Sequence, residues 1–521
     1  MESLAETLWD VTISGTGLAQ SLLALALSRS GKNVLHVDRN PYYGGCEAAF
    51  SLQEAEEWVD KVNQDPGQTP FEDAAIYSPL DSPETEVKLS SSRSYTLSLS
   101  PHLVYARSKL LPTLVSSRVH KQVEFQAVGS WWIYTPASEH NESRLYRVPS
   151  SREDVFADNF ITVKSKRTLM RFLRHIAKPF QDDQASSEGE EDLSAPFPDY
   201  LASKFHVPTE LHYPLLSLSL SQSSPLQTAA SYAIPRIQRH LGSIGVFGPG
   251  FGSLLARWGG DPEISQVGCR AMAVGGGVYV LNTGIRSFAE PSGSQTDEHR
   301  MLVQLSSGID IQTKYLVGSN WDLPIQADAR PSCRKVARSI TIVSSPLEHF
   351  FPPTAEGGPV PVGSVVVFPG NSLDQAEDSP LVYLVVHSSE TCECPTGQSV
   401  IYGSVSIPGP QGQSLLKAAV DKLLATATNP DGQAKVLWSL QYTQLGRENE
   451  SVDAAQAIRP SSLPDNVICF PPSGLDLAFE DATLDMVKEA WKLIMGDGFS
   501  EDEFMKFEDR EAAQDEDDRS T

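Results

Sequence analysis

The residues best placed to do chemistry lie in the first forty-five. Val11-Thr12-Ile13 is a short apolar run that ends at Ser14 and is followed by Gly15-Thr16-Gly17. Leu18, Leu22, Leu25 and Ala26 then recur with helical spacing up to Ser30-Gly31, and a second apolar run, Val34 to Val37, ends on Asp38. A strand, a glycine turn, a helix and a second strand closed by an acid is the layout that binds dinucleotides. The glycines let the backbone approach a pyrophosphate at a helix N-terminus, and the acid takes a ribose hydroxyl. Asp38 stands 23 residues after Gly15. The third glycine of that pattern would fall at residue 20, and residue 20 is Gln. A long polar side chain opposes the close helix–strand packing that this glycine permits. The unit therefore reads as a nucleotide-binding architecture with Gly15 and Gly17 at its turn, and Gln20 leaves open whether a nucleotide cofactor is bound.

Little other chemistry is on offer. There is no nucleophile elbow, zinc-binding box or P-loop lysine. The six cysteines are scattered, as suits free thiols in a reducing compartment. Cys392-Glu393-Cys394 is a close pair without a neighbouring histidine or second pair, so no metal site is expected. The histidines show no ligand spacing, and His36 reads as a packed core residue. An enzyme built on this chain would need a bound cofactor, which returns the weight to Gln20.

The elements that must position these residues alternate between helix and strand. A capped amphipathic helix is expected over 51–62 and further helices over 167–180, 228–241, 262–272 and 480–494, with another from Ser100-Pro101 through Val115. Strands are expected over 123–134 and then repeatedly from 278 to 470. Residues 64–92 read as a polar surface insertion and 245–260 as a mobile glycine-rich loop; 216–221 fits helix or strand equally. Tyr42-Tyr43-Gly44-Gly45, at the second strand's exit, forms a turn that another chain can approach closely. The fold class expected is α/β, with a Rossmann-type large domain over 1–150 and 243–495. A smaller helical domain is inserted at 151–242, carrying an acidic disordered insert at 181–194, and 496–521 forms an acidic disordered tail.

The balance of 41 basic against 66 acidic residues gives a net charge of −25. Such a chain repels nucleic acid and anionic membrane surfaces and favours neutral or basic protein partners. No run approaches the roughly 18–20 apolar residues that cross a bilayer. Neither end carries a signal peptide or a prenylation box. A cytosolic protein is expected.

Three stretches carry a resemblance. Gly15-Thr16-Gly17-Leu18 together with Gly31 to Gly45, Leu99-Ser100-Pro101 with Tyr105-Ala106-Arg107, and Glu263-Ile264 and Gln266 with Arg270 and Gly275 to Tyr279 resemble the signature regions of the GDP-dissociation inhibitor and Rab escort protein superfamily, while Ser265, Val267 and Gly268 depart from it. That resemblance implies the architecture of flavin-dependent amine oxidases without their FAD, and a binding platform for GDP-bound Rab GTPases. By the same resemblance Tyr43, Glu263 and Arg270 match platform positions. Val278 and Val280 occupy two more, where the family usually has Thr and Met, and Gly44 and Gly45 form the turn beside them. The helical domain is implied to shelter the geranylgeranyl lipid of the Rab, with Leu169, Phe172, Leu173, Ile176 and Leu216 as candidates. Their spacing alone reads as ordinary helix packing. Ser28 to Gly31, the inserts and the long C-terminal half resemble the escort branch, which works with the Rab geranylgeranyltransferase heterodimer and touches membranes only transiently. A recycling inhibitor and, further off, a flavin oxidoreductase are the alternatives.

Overall fold

The computed structural model of the chain describes residues 4–78, 88–136, 143–149, 152–177, 193–289, 300–325, 331–426, 434–447 and 453–507. The expected acidic insert lies outside the described residues except for Leu193 and Ser194, as do Phe180 and everything after 507.

The first sheet has seven strands: β1 (Leu8–Ser14), β2 (Val34–Val37), β3 (Val278–Val280), β4 (Ile285–Ala289), β5 (Met301–Leu305), β6 (Asp310–Ser319) and β7 (Val467–Phe470). Their order is β3-β2-β1-β6-β5-β4, and β7 also pairs with β6. β3, β2, β1, β6 and β7 run parallel, while β6, β5 and β4 form an antiparallel meander. β2 and β7 are buried throughout, and β1 from Val11 onward, because both faces of the sheet are covered there.

Helices of twelve residues or more are α1 (Leu18–Arg29), α2 (Leu52–Gln64), α3 (Val163–Ile176), α4 (Ala230–Ser243), α5 (Asp261–Val274), α6 (Gly409–Thr426) and α7 (Ala482–Met495). α1 is buried along nearly its whole length and packs against α5 and α7. Gly268 of α5 faces the Ser21 backbone of α1, where a Cβ would lie in ordinary contact, 3.5 Å from the Ser21 carbonyl oxygen. Trp491 of α7 is buried in the same core and donates its indole N–H to the Ser30 hydroxyl at 3.2 Å.

A second, ten-stranded and mainly antiparallel sheet fills the rest of the body. Its central strands, Arg334–Val343, Gly363–Phe368, Val382–Ser388 and Ser399–Val405, are buried on both faces over most of their length. In Val382–Ser388, Tyr383 and Val385 join the core shared with α3 and the 197–220 helices, while Val382, Leu384 and Val386 join the core under α6.

Several expectations are corrected. The 167–180 helix begins earlier, because the Thr162 hydroxyl caps it by accepting from the Ser165 N–H at 3.1 Å. The helix from Ser100 is only Leu110–Ser116, since Val104–Tyr105 pairs as strand with Ser253–Leu254. Pro112 sits in its first turn, where no N–H is required. The polar insertion contains an edge strand, Phe71–Tyr77, and the glycine-rich loop contains a buried one, Ser253–Ala256. α6 was not expected in a strand-rich region, although its buried Leu415, Leu416, Ala419, Val420, Leu423 and Leu424 have helical spacing. Residues 496–507 were assigned to the tail. They instead pack on α1 and α7 through the buried Met505, with the Arg29 guanidinium 4.9 Å above the Phe507 ring. The apolar residues of Glu-Phe-Met-Lys-Phe are masked by the surrounding acids.

Trp491→Ala should lower unfolding free energy by about 3–5 kcal/mol in urea denaturation, the range for losing a fully buried large aromatic.

Candidate functional site

The glycine turn is held by the chain's own side chains. Asp38, at the end of β2, is fully buried; its Oδ2 accepts from the Thr16 N–H (2.8 Å) and hydroxyl (2.7 Å), and its Oδ1 from the Asn40 N–H (2.7 Å). Burial pushes this carboxyl up to about 6, reinforced by the Asp322 charge and opposed by those hydrogen bonds. His36 is buried behind the turn, its Nε2 2.6 Å from the Gly15 carbonyl oxygen. Burial drives its pKa down to about 4, so the neutral ring donates that bond.

These residues do not fit a dinucleotide. Gly15, at φ +89°, faces Asp322, whose Cγ would lie 2.5 Å from a Cβ built there. The backbone surface that should meet a pyrophosphate is covered by a carboxylate. Gln20 folds over Gly17 and donates from Nε2 to Asp322 Oδ2 at 3.0 Å. Asp38 has already accepted three hydrogen bonds from the turn and the β2 exit, leaving the expected ribose partner occupied. Glu47 and Asp261 add buried acids around the same cavity, of about 110 Å³, and Asp261 Oδ2 lies 2.5 Å from His102 Nδ1. Among the described residues no cluster of ligating side chains could hold a metal.

The candidate platform residues are assembled by the same turn. Thr16 Oγ1 accepts from the Gly44 N–H at 3.1 Å, and Gly44 (φ +98°) lies so close to Pro262 that a Cβ would come within 2.9 Å of it. This fixes Tyr43, whose ring stacks on Tyr279 of β3 at 5.2 Å and 19°. On α5, Arg270 donates to Glu263 Oε1 and to Gln266 Oε1, both at 3.1 Å. Arg270 is more than half exposed; Glu263 is largely covered, and burial raises its pKa against the pull of Arg270. Tyr43, Tyr279, Glu263 and Arg270 are thus joined through α5, β3 and the Gly44 turn. The two valines are placed differently. Alternation along β3 turns Val278 and Val280 away from Tyr279; Val278 is exposed and Val280 packs against the core on the other side of the sheet.

The five candidate lipid residues share one core. Leu169, Phe172, Ile176 and Leu216 are buried and Leu173 is partly covered, all within the apolar core that the helical segment shares with the ten-stranded sheet. Nearby, Phe156, Phe160 and Val163 are exposed, and the Arg144 guanidinium sits 3.7 Å above the Phe160 ring. Elsewhere an apolar groove of about 560 Å³ runs between Leu111, Leu114, Phe125 and Phe251, with Val115, Phe247 and Val360 exposed at its mouth. Exposed apolar patches of this kind mark contact surfaces. The sequence reading passed over these and over Asp322 and Tyr279. An acid just beyond a strand (Ser319 to Asp322) and two phenylalanines in a glycine-rich loop were the available signals.

A raised carboxyl makes the folded state hold its proton longer than the unfolded chain. Stability from Asp38 therefore falls as pH rises from about 4 to about 6, by on the order of 3 kcal/mol. Asp38→Asn removes this component: between about pH 4 and about pH 7 the wild type should lose more stability in urea than the variant, and equal losses would contradict it.

Comparison with known proteins agrees with this architecture. A Rab GDI from Plasmodium falciparum superposes with a TM-score of 0.65 at 16% identity, covering 95% of this chain and 99% of that one. An oxidoreductase from Methanosarcina mazei superposes at 0.50 with 10% identity, over 90% and 94%. Both likenesses are of fold alone, and the fold is the α/β, FAD/NAD-binding-like class. The Rab proteins geranylgeranyltransferase component A of Saccharomyces cerevisiae is 29% identical over 415 residues, 80% of this chain and 64% of that protein. The Rab GDP dissociation inhibitor beta of Rattus norvegicus is 25% identical over 353 residues, 66% and 69% respectively. The chain spans somewhat less than two thirds of the component A relatives from S. cerevisiae, Candida albicans and Drosophila melanogaster. The GDP dissociation inhibitor family model matches residues 5–428, across the turn, α5 and most of the second sheet, and the chain belongs to that family.

Proposed function

We propose that this chain acts as a Rab escort. It binds newly made, GDP-bound Rab GTPases and presents them to the catalytic heterodimer of Rab geranylgeranyltransferase. It then delivers the product to membranes by transient contact from the cytosol. It acts as an accessory component without a catalytic centre of its own. The names of the component A relatives support this reading, and one observation carries it. Tyr43, with its polar tip, is stacked on Tyr279 next to a turn that abuts the helix of the exposed Arg270, on a surface whose nucleotide site is filled by the protein itself. Rigid aromatic and arginine side chains are the residue types that dominate protein interfaces.

In this reading the large domain, 1–150 and 243–495, holds the platform of Tyr43, Glu263 and Arg270, with Val278 at its margin. Val280 would support it from below. The Glu263–Arg270 pair would open in part, freeing the guanidinium for a charge-assisted bond to the partner. The helical domain, 151–242, would receive the geranylgeranyl chain. Since Leu169, Phe172, Ile176 and Leu216 are packed, α3 would have to part from its neighbours to admit it. Burial of the lipid at about 0.8 kcal/mol per CH₂ would offset that opening. The recycling inhibitor is the second reading, favoured by the rat relative.

Purified transferase should geranylgeranylate a Rab only when this chain is added; equal modification without it would overturn the escort reading. Extraction of prenylated Rab from membranes without such support would favour the inhibitor. Tyr43→Ala and Arg270→Glu should each weaken Rab binding by about tenfold or more, as for interface hot spots.

A further inference from the structure

Trp258 is held in a conformation that its own packing does not explain. Its φ is +68°, in the left-handed region that a bulky side chain avoids. Leu220, Leu347 and Met505 also have positive φ, but each is buried, so the core around them enforces the backbone. Trp258 is 49% exposed. Among the described residues it is the large hydrophobic side chain that combines positive φ with exposure.

The surroundings over-determine this conformation. The Arg257 N–H donates to the Glu124 carbonyl at 2.9 Å and the Trp258 N–H to the Thr391 carbonyl at 3.1 Å. The Arg257 guanidinium lies 5.0 Å from the indole centroid, anchored by Glu124 Oε2 at 2.6 Å and by Cys392 Sγ at 3.1 Å. Gly259 and Gly260 follow, both at positive φ, and Gly260 caps α5, which carries Glu263 in its first turn. Segments 44–49 and 258–262 run side by side. Gly44 abuts Pro262 at one end, and Gly259 abuts Ala49 at the other, where a Cβ would come within 2.9 Å. Tyr43 and Trp258 therefore flank the two ends of one ridge. Both are aromatic, and both are fixed by neighbours.

We propose that Trp258 is a further anchor for the GTPase, extending the platform past the N-terminus of α5. The inference rests on the platform reading above. Strain that persists in an exposed side chain is stored at contact and switch sites, where it presents a group that relaxation would withdraw. The indole offers a large contact area with few rotamers to freeze, and the arginine beneath it keeps it from collapsing onto the body.

The test uses the full chain and a GDP-loaded Rab in a binding titration, with thermal unfolding alongside. Trp258→Asn puts a residue that tolerates positive φ at the strained position. It should weaken GTPase binding by about tenfold while leaving the thermal midpoint within about 2 °C of wild type or above it. Trp258→Phe should retain affinity to within about threefold. A merely structural tryptophan would give the reverse pattern: a lowered midpoint in Trp258→Asn with affinity per folded molecule unchanged. Affinity of Trp258→Asn within about twofold of wild type overturns the proposal. Tyr43→Ala, run in parallel, separates the two readings. If Tyr43→Ala loses binding and Trp258→Asn does not, only the Trp258 proposal fails. If the wild type does not bind, the platform reading fails with it.

Discussion

The hydrogen bonds between Thr16 and Asp38 hold this structure together at its most connected point. The Thr16 amide and hydroxyl both donate to Asp38, and the same hydroxyl accepts from Gly44. The Asp38 backbone donates to Val280 and accepts from Thr283, tying β2 to the edge strand β3. Thr16 and Asp38 together thus join the glycine turn, the Tyr43 loop and the strand on which Tyr43 rests. Asp322 complements it by placing a second carboxyl group beside the start of α1, where a helix N-terminus favours an anion. A relative that binds a dinucleotide would have phosphate there. Here the anion is part of the chain, and the turn needs no ligand to be complete.

Much of this was legible in the sequence, and the misses have physical causes. β1, the turn, α1, β2 and Asp38 could be read because burial on both sides of the sheet forces continuous apolar runs, and because Gln20 contradicts one fixed position in a known geometry. The fate of Gln20 could not be read. Its hydrogen bond is to Asp322, 302 residues away, and such pairing leaves no local pattern. The edge strand Phe71–Tyr77 was lost for the opposite reason: one side faces solvent, so its alternation is diluted by polar residues. Ser253–Ala256 was hidden by the flanking glycines, which look like a flexible loop yet supply the tight turns into a buried strand. From their types and spacing alone Glu263 and Arg270 read as a solvated helix pair, and the structure contains that pair; only the resemblance pointed to a platform.

The lipid candidates show where periodicity reaches its limit. An apolar helix face buried against a sheet and one that can open around a hydrocarbon chain have the same residues at the same spacing. Their difference lies in how firmly the face is held. Phe172 is fully buried among Phe197 and Phe205, so any opening begins from a well-packed state. By contrast, Phe156, Phe160 and the mouth of the apolar groove are exposed already and need no rearrangement to meet a partner.

The placement of α7 has a consequence for how the molecule is made. Trp491 touches Ser30 across 461 residues, and β7 enters the first sheet beside β6 only at residue 467. The unit of β1, α1 and β2 is synthesised well before α7, and one side of α1 stays uncovered until the 461 residues leading from Ser30 to Trp491 have left the ribosome. Contacts of such separation close slowly, and apolar surface left waiting for them is prone to aggregate. Nascent chains are therefore at their most vulnerable just before α7 docks, and chaperone demand should fall on the N-terminal half although that half carries the strongest folding signals.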